Sequence, residues 1–155
     1  MKIGVIADTH NHIPEKVFEI FSGVDLIIHA GDIGQDTILT NLHIIAPVRA
    51  VFGNMDHYPL VSDLKRMDIF KFEECRICLV HIIGSHKSFA YELFKQNIKV
   101  DVVIHGHTHR AEDVVFNNIR FLNPGSASQP RSGSRGSVGV LYVEKKEINF
   151  ETLYI

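Results

Sequence analysis

The sequence predicts an α/β fold in which alternating strands and helices form one sheet layer that packs against a second sheet made mostly of hairpins. Apolar runs of strand length alternate with helix-length segments through the first part of the chain. In the last third, short apolar runs are separated by turn residues and a Gly/Ser loop instead. With 155 residues, 45% hydrophobic and 22% charged, the chain is long enough to bury one core. We therefore expect a single domain over residues 1–155.

The first part of the chain is predicted to alternate between strands and helices. Apolar runs indicate strands at Ile3–Ala7, Leu26–Ala30 and Val48–Phe52. Between them, a helix is expected from Pro14 through the segment VFEIF, and another over residues 35–45. The second helix has the apolar spacing of one helical face, at Ile38, Leu39, Leu42 and Ile45.

A hairpin and one more helix occupy the middle of the chain. Ile69–Phe72 and Arg76–Val80 are predicted to pair around a turn at Glu73 and Glu74. A helix from about residue 87 to 95 then leads to a strand at Val100–Ile104. Cys75 and Cys78 form a lone C-x2-C motif in this hairpin, and without a second cysteine pair we expect no joint zinc or redox role.

The last third is predicted to consist of two hairpins. Asp113–Phe116 and Ile119–Leu122 flank two asparagines that suit a tight turn. The loop PGSASQPRSGSRGS then precedes strands at Val138–Val143 and Ile148–Leu153. We predict that these segments belong to the second, antiparallel-rich sheet.

Bulk charge and hydropathy exclude several classes of partner. The net charge is −2 and the pI is near 6.5, without a Lys/Arg stripe, so nucleic acid is not expected as a constitutive partner. No run approaches the roughly 18 apolar residues of a membrane span, so no membrane partner is expected. The apolar run at the N-terminus, Ile3–Ala7, is shorter than that of a signal peptide. The chain is therefore expected in the cytoplasm, and homo-oligomerisation is left open.

Side chains that can bind metals follow five of the predicted strands. In open α/β sheets, ligands bind at the carboxyl ends of strands, where the loops converge. A glycine directly precedes three of these side chains and leaves room for close approach. Two pairs are spaced i, i+2, which in an extended segment puts both side chains on one side. The candidates are Asp8 and His10, Asp32, Asn54, His81, and His107 with His109.

The mixture of donor atoms predicts two transition-metal ions. Carboxylate, amide and imidazole ligands together suit Mn, Fe, Co, Ni or Zn better than Mg or Ca. Seven ligands exceed what one ion with an open position can use, whereas two ions sharing a carboxylate accommodate them. Two such ions can bind a phosphoryl oxygen and make hydroxide available at neutral pH. The sequence therefore predicts metal-dependent hydrolysis of phosphate esters.

The ordered motifs D-x-H, G-D, G-N, a later histidine, G-H-x-H and NPGS resemble those of the calcineurin-like metallophosphoesterases, in particular the small YfcE-like phosphodiesterase branch. This resemblance implies a four-layer α/β/β/α sandwich of two packed mixed sheets. It also implies that Asp32 bridges two divalent ions, which we expect to be Mn, with Ni, Co, Fe or Zn as alternatives. The first ion would bind Asp8, His10 and His109, and the second Asn54, His81 and His107.

The resemblance implies hydrolysis of small phosphodiesters by a hydroxide that bridges the two ions. One departure bears on the substrate: Met55 stands where many relatives carry a histidine thought to protonate the leaving group. This favours diesters with good leaving groups. We expect Asp56 to orient Asn54 or a ligand histidine, and Arg131 is a candidate phosphate contact.

Two other functions remain open at this stage. A retromer subunit shares this fold and serves mainly in assembly, so a non-catalytic protein-binding scaffold is one alternative. A metal-dependent nuclease or phosphomonoesterase is the other. The remaining histidines were assigned elsewhere: His29 and His105 to packed strands, and four to surface loops, namely His12, His43, His57 and His86, of which His12 and His57 were expected near the substrate.

Overall fold

The computed structural model describes residues 1–155 and contains ten strands and four helices. The elements alternate as predicted, with one additional short helix, α3, after the third strand. In chain order they are β1 Lys2–Ile6, α1 Glu15–Ile20, β2 Leu26–His29, α2 Asp36–His43, β3 Val48–Ala50, α3 Leu60–Asp63, β4 Met67–Phe72, β5 Cys75–Val80, α4 His86–Lys95, β6 Val102–Ile104, β7 Ala111–Phe116, β8 Ile119–Pro124, β9 Ser137–Glu144 and β10 Glu147–Tyr154.

The first sheet has the strand order β10-β9-β1-β2-β3. Its β1, β2 and β3 strands run parallel, whereas β9 is antiparallel to both β1 and β10. The assignment of the C-terminal hairpin to the second sheet was therefore wrong. Hairpin patterning identifies β9 and β10 as partners but carries no information about which sheet edge they join, and β9 pairs with β1.

The second sheet has the order β4-β5-β6-β8-β7. Hairpins form both of its edges, β4 with β5 and β7 with β8, while β5, β6 and β8 run parallel in the centre. The sheet is thus mixed rather than mainly antiparallel. The two cysteines lie in β5 on opposite faces, Cys75 between the sheets and Cys78 under α4, and they are not bonded to each other.

Three apolar clusters define four layers, which confirms the predicted α/β/β/α sandwich. The central cluster packs residues such as Val5 and Ile28 of the first sheet against Ile77 and Ile104 of the second. A second cluster packs α1, α2 and α3 on the outer face of the first sheet. A third packs α4 on the outer face of the second sheet. None of the helices is long and apolar enough to cross a membrane.

This topology brings the carboxyl ends of five strands to one edge of the sandwich. In the first sheet, the parallel strands β1, β2 and β3 all end there, and in the second sheet β5 and β6 do. Because parallel neighbours share one direction, the loops that follow them meet at that edge. These loops carry the seven candidate ligands.

Candidate metal centre

All seven predicted ligands converge at the seam between the two sheets. Nε2 of His81 lies 3.2 Å from Oδ2 of Asp32 and 3.1 Å from Oδ1 of Asn54. Nδ1 of His107 lies 3.0 Å from the same Asn54 oxygen. On the other side, Nε2 of His109 lies 3.3 Å from Oδ1 of Asp8 and 3.3 Å from Nε2 of His10.

The donor atoms fall into two groups that share one residue. In each group, every acidic or imidazole side chain offers one donor atom, and these atoms all lie within 4.8 Å of one another. One group consists of Asp8, His10, Asp32 and His109, and the other of Asp32, His81 and His107. Asn54 lies beside the second group. This division into two sets joined by Asp32 has the form expected of a dinuclear site.

The backbone at five of these residues adopts the left-handed region, which non-glycine residues rarely occupy. The φ angles are 52° at Asp8 and 42° at His10, 53° at Asp32, and 69° and 57° at His107 and His109. The segments that carry the two i, i+2 pairs were predicted to be extended, and that part of the prediction was wrong. The pairs converge because left-handed turns direct them inward, and such conformations concentrate at functional sites.

Hydrogen bonds from the NPGS region hold these turns in place. The Ser126 hydroxyl donates to the Asp8 carbonyl at 2.8 Å, and the Ser128 hydroxyl donates to the Thr9 carbonyl at 2.6 Å. The Asn123 amide donates to the Gly106 carbonyl at 3.0 Å and to the Thr108 hydroxyl at 3.1 Å. The motif that was noted only for its resemblance therefore fixes both ligand-bearing loops.

The glycines before the ligands are required by close packing within the centre. A Cβ at Gly53 would lie 2.1 Å from Oδ1 of Asp32, and one at Gly106 would lie 2.9 Å from Oδ2 of Asp8. At Gly31, whose φ is +91°, a Cβ would lie 2.8 Å from the His81 ring. Each glycine thus makes room for a ligand that comes from another loop.

Four of the predicted ligands are each oriented by one hydrogen bond, and each keeps a second oxygen or nitrogen atom free to face the centre. The amide of His107 donates to Oδ2 of Asp8, and the amide of Met55 donates to Oδ1 of Asp32. His81 uses Nδ1 to donate to the Ala30 carbonyl, and His109 uses Nδ1 to donate to the Gln129 carbonyl. Such outer contacts fix ring orientation and tautomer in metal sites.

Neighbouring charged groups and burial shift the pKa values of several side chains in the centre. Burial favours the neutral form of Asp32, but hydrogen bonds from His81 and the Met55 amide hold the pKa of its carboxyl below the usual value. Burial works to lower the pKa of His81, but its contact with Asp32 raises it above the usual value. The contact with Asp8 likewise raises the pKa of His109. Burial and the neighbouring His81 lower the pKa of His107.

The residues present fit divalent cations. Oδ1 of Asp8 is buried and accepts no hydrogen bond, although a buried carboxylate oxygen is costly without a partner. An ion with bonds of about 2.0–2.2 Å to nitrogen and oxygen separates its ligand atoms by roughly 3.0–3.4 Å. Five contacts between predicted ligands fall in that range, from 3.0 to 3.3 Å. Nε2 of His10 lies farther away, at 3.8 Å from Oδ2 of Asp32 and 4.0 Å from Oδ1 of Asp8. A cation at this position would satisfy the Asp8 oxygen.

Asp56 supports the centre through the backbone. Its Oδ1 accepts from the Gly34 amide at 2.8 Å, and its Oδ2 accepts from the Gly53 amide at 2.7 Å. It therefore fixes the loop that carries Asn54, as expected, and does not contact a ligand histidine. Met55, which stands at the position of the histidine in many relatives, is 56% exposed at the mouth of the site.

The buried histidines outside the predicted set differ from one another. His29 is fully buried with both ring nitrogens bonded: Nε2 lies 2.9 Å from the Thr9 hydroxyl, and Nδ1 accepts from the Gly31 amide. Burial lowers its pKa to about 3, so its ring is neutral. His105 is also buried, but its Nε2 has no hydrogen-bond partner. The histidines predicted at the surface are exposed at positions 12, 43 and 57, whereas His86 is partly buried.

Two open depressions flank the centre, and both contain arginines. One of about 540 Å³ is lined by His107, Arg110 and Arg131, and Nε of Arg131 donates to the Thr108 carbonyl at 3.3 Å. The other, of about 220 Å³, is lined by Asn54, His81 and Arg66 among others. Sequence reasoning singled out Arg131 but missed Arg66, because Arg66 follows α3 in a segment without a motif.

Fold and site together define a metal-dependent phosphoesterase. The calcineurin-like phosphoesterase superfamily domain matches residues 1–146, and the chain belongs to this superfamily. A probable metallophosphoesterase of Methanothermobacter thermautotrophicus is 38% identical over 161 residues, covering 99% of this chain and 92% of the relative. Phosphodiesterase YfcE of Escherichia coli is 28% identical over 169 residues, covering 91% and 87%. The predicted likeness to YfcE is thereby confirmed.

A solved structure supports the same fold. The crystal structure of Chaetomium thermophilum Vps29 superimposes with a TM-score of 0.81 and covers 99% of this chain and 97% of its own. Its sequence identity is 20%, so this likeness concerns the fold alone.

Proposed function

We propose that the protein hydrolyses small phosphodiesters at a dinuclear metal centre. In this proposal Asp8, His10 and His109 bind one ion, and Asn54, His81 and His107 bind the other. The Asp32 carboxylate contacts both. The observation that carries the proposal is the pair of donor groups that share Asp32, each compact enough for one ion. Membership of the phosphoesterase superfamily and the likeness to a phosphodiesterase support the reaction class.

The protein's own residues prepare the site for this reaction. His81 and His109 donate their Nδ1 hydrogens to carbonyl groups, which leaves the Nε2 lone pairs directed at the centre. Asp8 presents a buried carboxylate oxygen that accepts no hydrogen bond. Two divalent ions bound there would supply Lewis acidity for a phosphoryl oxygen and a water of lowered pKa.

The surroundings favour a diester that can extend in two directions. A phosphodiester has two ester groups, and the centre lies between two depressions that contain cationic side chains. Arg131, held against the Thr108 carbonyl, can contact phosphate oxygens from one side, and Arg66 can do so from the other. Both depressions are open, so we expect loose selectivity for the groups attached to phosphorus.

Manganese is the proposed physiological metal. The predicted ligands offer carboxylate, amide and imidazole donors. This mixture suits Mn, and it also suits Co, Ni, Fe or Zn. The protein should be stripped of metal and titrated with Mn, Co, Ni, Zn and Mg against a panel of aryl and alkyl phosphate monoesters and diesters. We expect Mn to restore the highest diester turnover. Strict preference for monoesters would contradict the proposal.

The scaffold alternative makes the opposite prediction about metal content. A protein of this fold that serves only to bind other proteins needs no bound ions, whereas the proposed enzyme should bind about two at the centre. Elemental analysis of the protein after dialysis against Mn distinguishes the two. A chain that retains close to no metal and shows no diester turnover would favour the scaffold. Location in the cytoplasm and the absence of a constitutive nucleic-acid partner stay predictions.

A further inference from the structure

Three side chains that can bind metal meet outside the dinuclear centre. His86 is the first residue of α4, His105 follows β6, and Glu112 lies in β7. Nε2 of His86 lies 2.9 Å from Oε2 of Glu112, and Nε2 of His105 lies 3.2 Å from the same oxygen. The three donor atoms all lie within 4.8 Å of one another.

The His105 ring has an unpartnered nitrogen directed into this cluster. The side chain is 1% exposed, yet Nε2 makes no hydrogen bond, not even with the nearby Glu112 carboxylate. A buried polar atom without a partner is rare and calls for an explanation such as a bound ion.

The contacts on the other side of the ring indicate which nitrogen carries the hydrogen. Nδ1 of His105 lies 3.4 Å from the Gly106 carbonyl and 3.3 Å from the Asn123 amide nitrogen. The two hydrogens of that amide already have closer acceptors, the Gly106 carbonyl and the Thr108 hydroxyl. Nδ1 of His105 therefore acts as the donor to Gly106, and Nε2 keeps a lone pair. That lone pair faces a carboxylate oxygen, a repulsive arrangement that a cation between them would relieve.

The spacing and chemistry of the three donors suit a zinc ion. Tetrahedral zinc with bonds of about 2.0–2.1 Å separates its ligand atoms by roughly 3.3 Å. The two contacts made by Glu112, at 2.9 and 3.2 Å, are close to that spacing. The His86 and Glu112 side chains are 28% and 31% exposed, so a fourth position can be filled by water. The His86 ring is held in place by Phe121, with 4.9 Å between ring centroids.

We propose that His86, His105 and Glu112 bind one zinc ion at a site separate from the dinuclear centre. The ion would tie the start of α4 to the loop after β6. These two segments adjoin His81 and His107, respectively, so the zinc would brace two loops that carry central ligands. The proposal does not depend on the reaction that the centre performs.

Zinc stoichiometry tests this site directly. The full chain is stripped of metal, dialysed against zinc and analysed for metal and protein content. His86→Ala and Glu112→Gln should each retain about one zinc ion per chain fewer than the wild type. His43→Ala is the matched control, because His43 is an exposed helix histidine whose Nδ1 contacts only the Leu39 carbonyl of its own helix. It should bind as much zinc as the wild type.

A second set of variants separates this zinc from the ions of the dinuclear centre. In the double variant Asp32→Asn with His109→Ala, the dinuclear centre is weakened, and about one tightly held zinc should remain. Adding His86→Ala to that background should remove it. Circular dichroism establishes that each variant is folded. Equal zinc content with and without His86→Ala, in both backgrounds, would overturn the proposal.

Discussion

Nε2 of His81 lies 3.2 Å from Oδ2 of Asp32, and the two residues come from different sheets. Asp32 follows β2 of the first sheet, and His81 follows β5 of the second. The raised pKa of His81 and the lowered pKa of Asp32 favour an ion pair between them in the metal-free protein. The centre is thus assembled by packing of the sheets, and binding of a cation has to displace the His81 proton.

Replacing Asp32 with asparagine should abolish metal-stimulated diester hydrolysis. The substitution keeps the size of the side chain but removes the only charge shared by the two donor groups. Loss of an outer partner of a metal ligand commonly costs 10–100-fold in affinity or activity, so loss of this ligand should lower kcat/KM by more than about 100-fold. Steady-state turnover of an aryl diester with added Mn measures the effect.

Asp63→Asn is the matched control for this substitution. Asp63 lies on the surface in α3. Its substitution by asparagine removes the same charge, but at a position away from the donor groups. Its turnover should stay within about twofold of the wild type, since isolated surface charges contribute little. Asp32→Asn with unchanged turnover and an intact fold would exclude the proposed role of Asp32.

Gly53→Ala should disrupt the centre without adding or removing any charge. The new Cβ would lie 2.1 Å from Oδ1 and 2.4 Å from the backbone nitrogen of Asp32, so the loop that carries Asn54 must shift. Overpacking of this kind costs about 1–3 kcal/mol in the free energy of unfolding. We expect metal affinity to fall at least tenfold, measured by isothermal titration calorimetry with Mn.

Gly136→Ala provides the comparison for that variant. Its Cβ would meet the Ala127 carbonyl at 3.1 Å and the Ile155 side chain at 3.2 Å, so only small shifts are needed. Metal affinity should be close to that of the wild type. If Gly53→Ala bound Mn as tightly as Gly136→Ala, the close contact with Asp32 would not control the geometry of the centre.

The sequence was sufficient to predict where the strands lie along the chain and that the predicted ligands converge. The end of an apolar run marks the end of a strand, and a side chain that can bind metal follows it. Asp8 directly follows an apolar run and Asp32 follows one after a single glycine, so the carboxyl-end rule locates them without coordinates. The turn conformations were not predictable in the same way. His10 and His109 have a left-handed backbone, and the residues directly before them, Thr9 and Thr108, accept hydrogen bonds from Ser128 and Asn123, which are distant in sequence.

Packing across elements explains the other differences. The pairing of β9 with β1 joins the two ends of the chain, and no local pattern encodes it. His86 was predicted to lie in a surface loop, directly before the predicted helix at residues 87–95. Only the structure shows that it faces Glu112 and the unpartnered nitrogen of His105. His86, His105 and Glu112 come from three separate segments and share no motif, so nothing in the sequence linked them.

Met55→His should improve hydrolysis of esters with poor leaving groups. Met55 is exposed at the mouth of the site, next to Asn54, and its own amide contacts Asp32. A histidine there could protonate a departing alkoxide, and general acid catalysis contributes typically 10²–10⁴-fold. We expect the rate for an alkyl diester, relative to a nitrophenyl diester, to rise at least tenfold. Parallel kcat/KM measurements on the two substrates give this ratio.

Met55→Gln controls for the change in polarity at that position. Glutamine is of similar size but cannot donate a proton at neutral pH, so the ratio of the two rates should stay at the wild-type value. An equal rise in Met55→Gln and Met55→His would show that leaving-group protonation is not the cause.

His29 should make the folded state sensitive to mild acid. Its pKa in the folded protein is about 3, whereas an unfolded histidine titrates near 6.5. Between these values only the unfolded chain takes up the proton, so the free energy of unfolding decreases as the pH falls below about 6.5. At pH 5 the decrease from this one group is about 2 kcal/mol.

His29→Asn cannot titrate, and its Oδ1 can still accept from the Gly31 amide. Urea unfolding of both metal-free proteins at pH 7 and pH 5 should therefore show a smaller loss of stability in the variant. An identical loss in the two proteins would mean that His29 takes up a proton in the folded state as readily as in the unfolded chain.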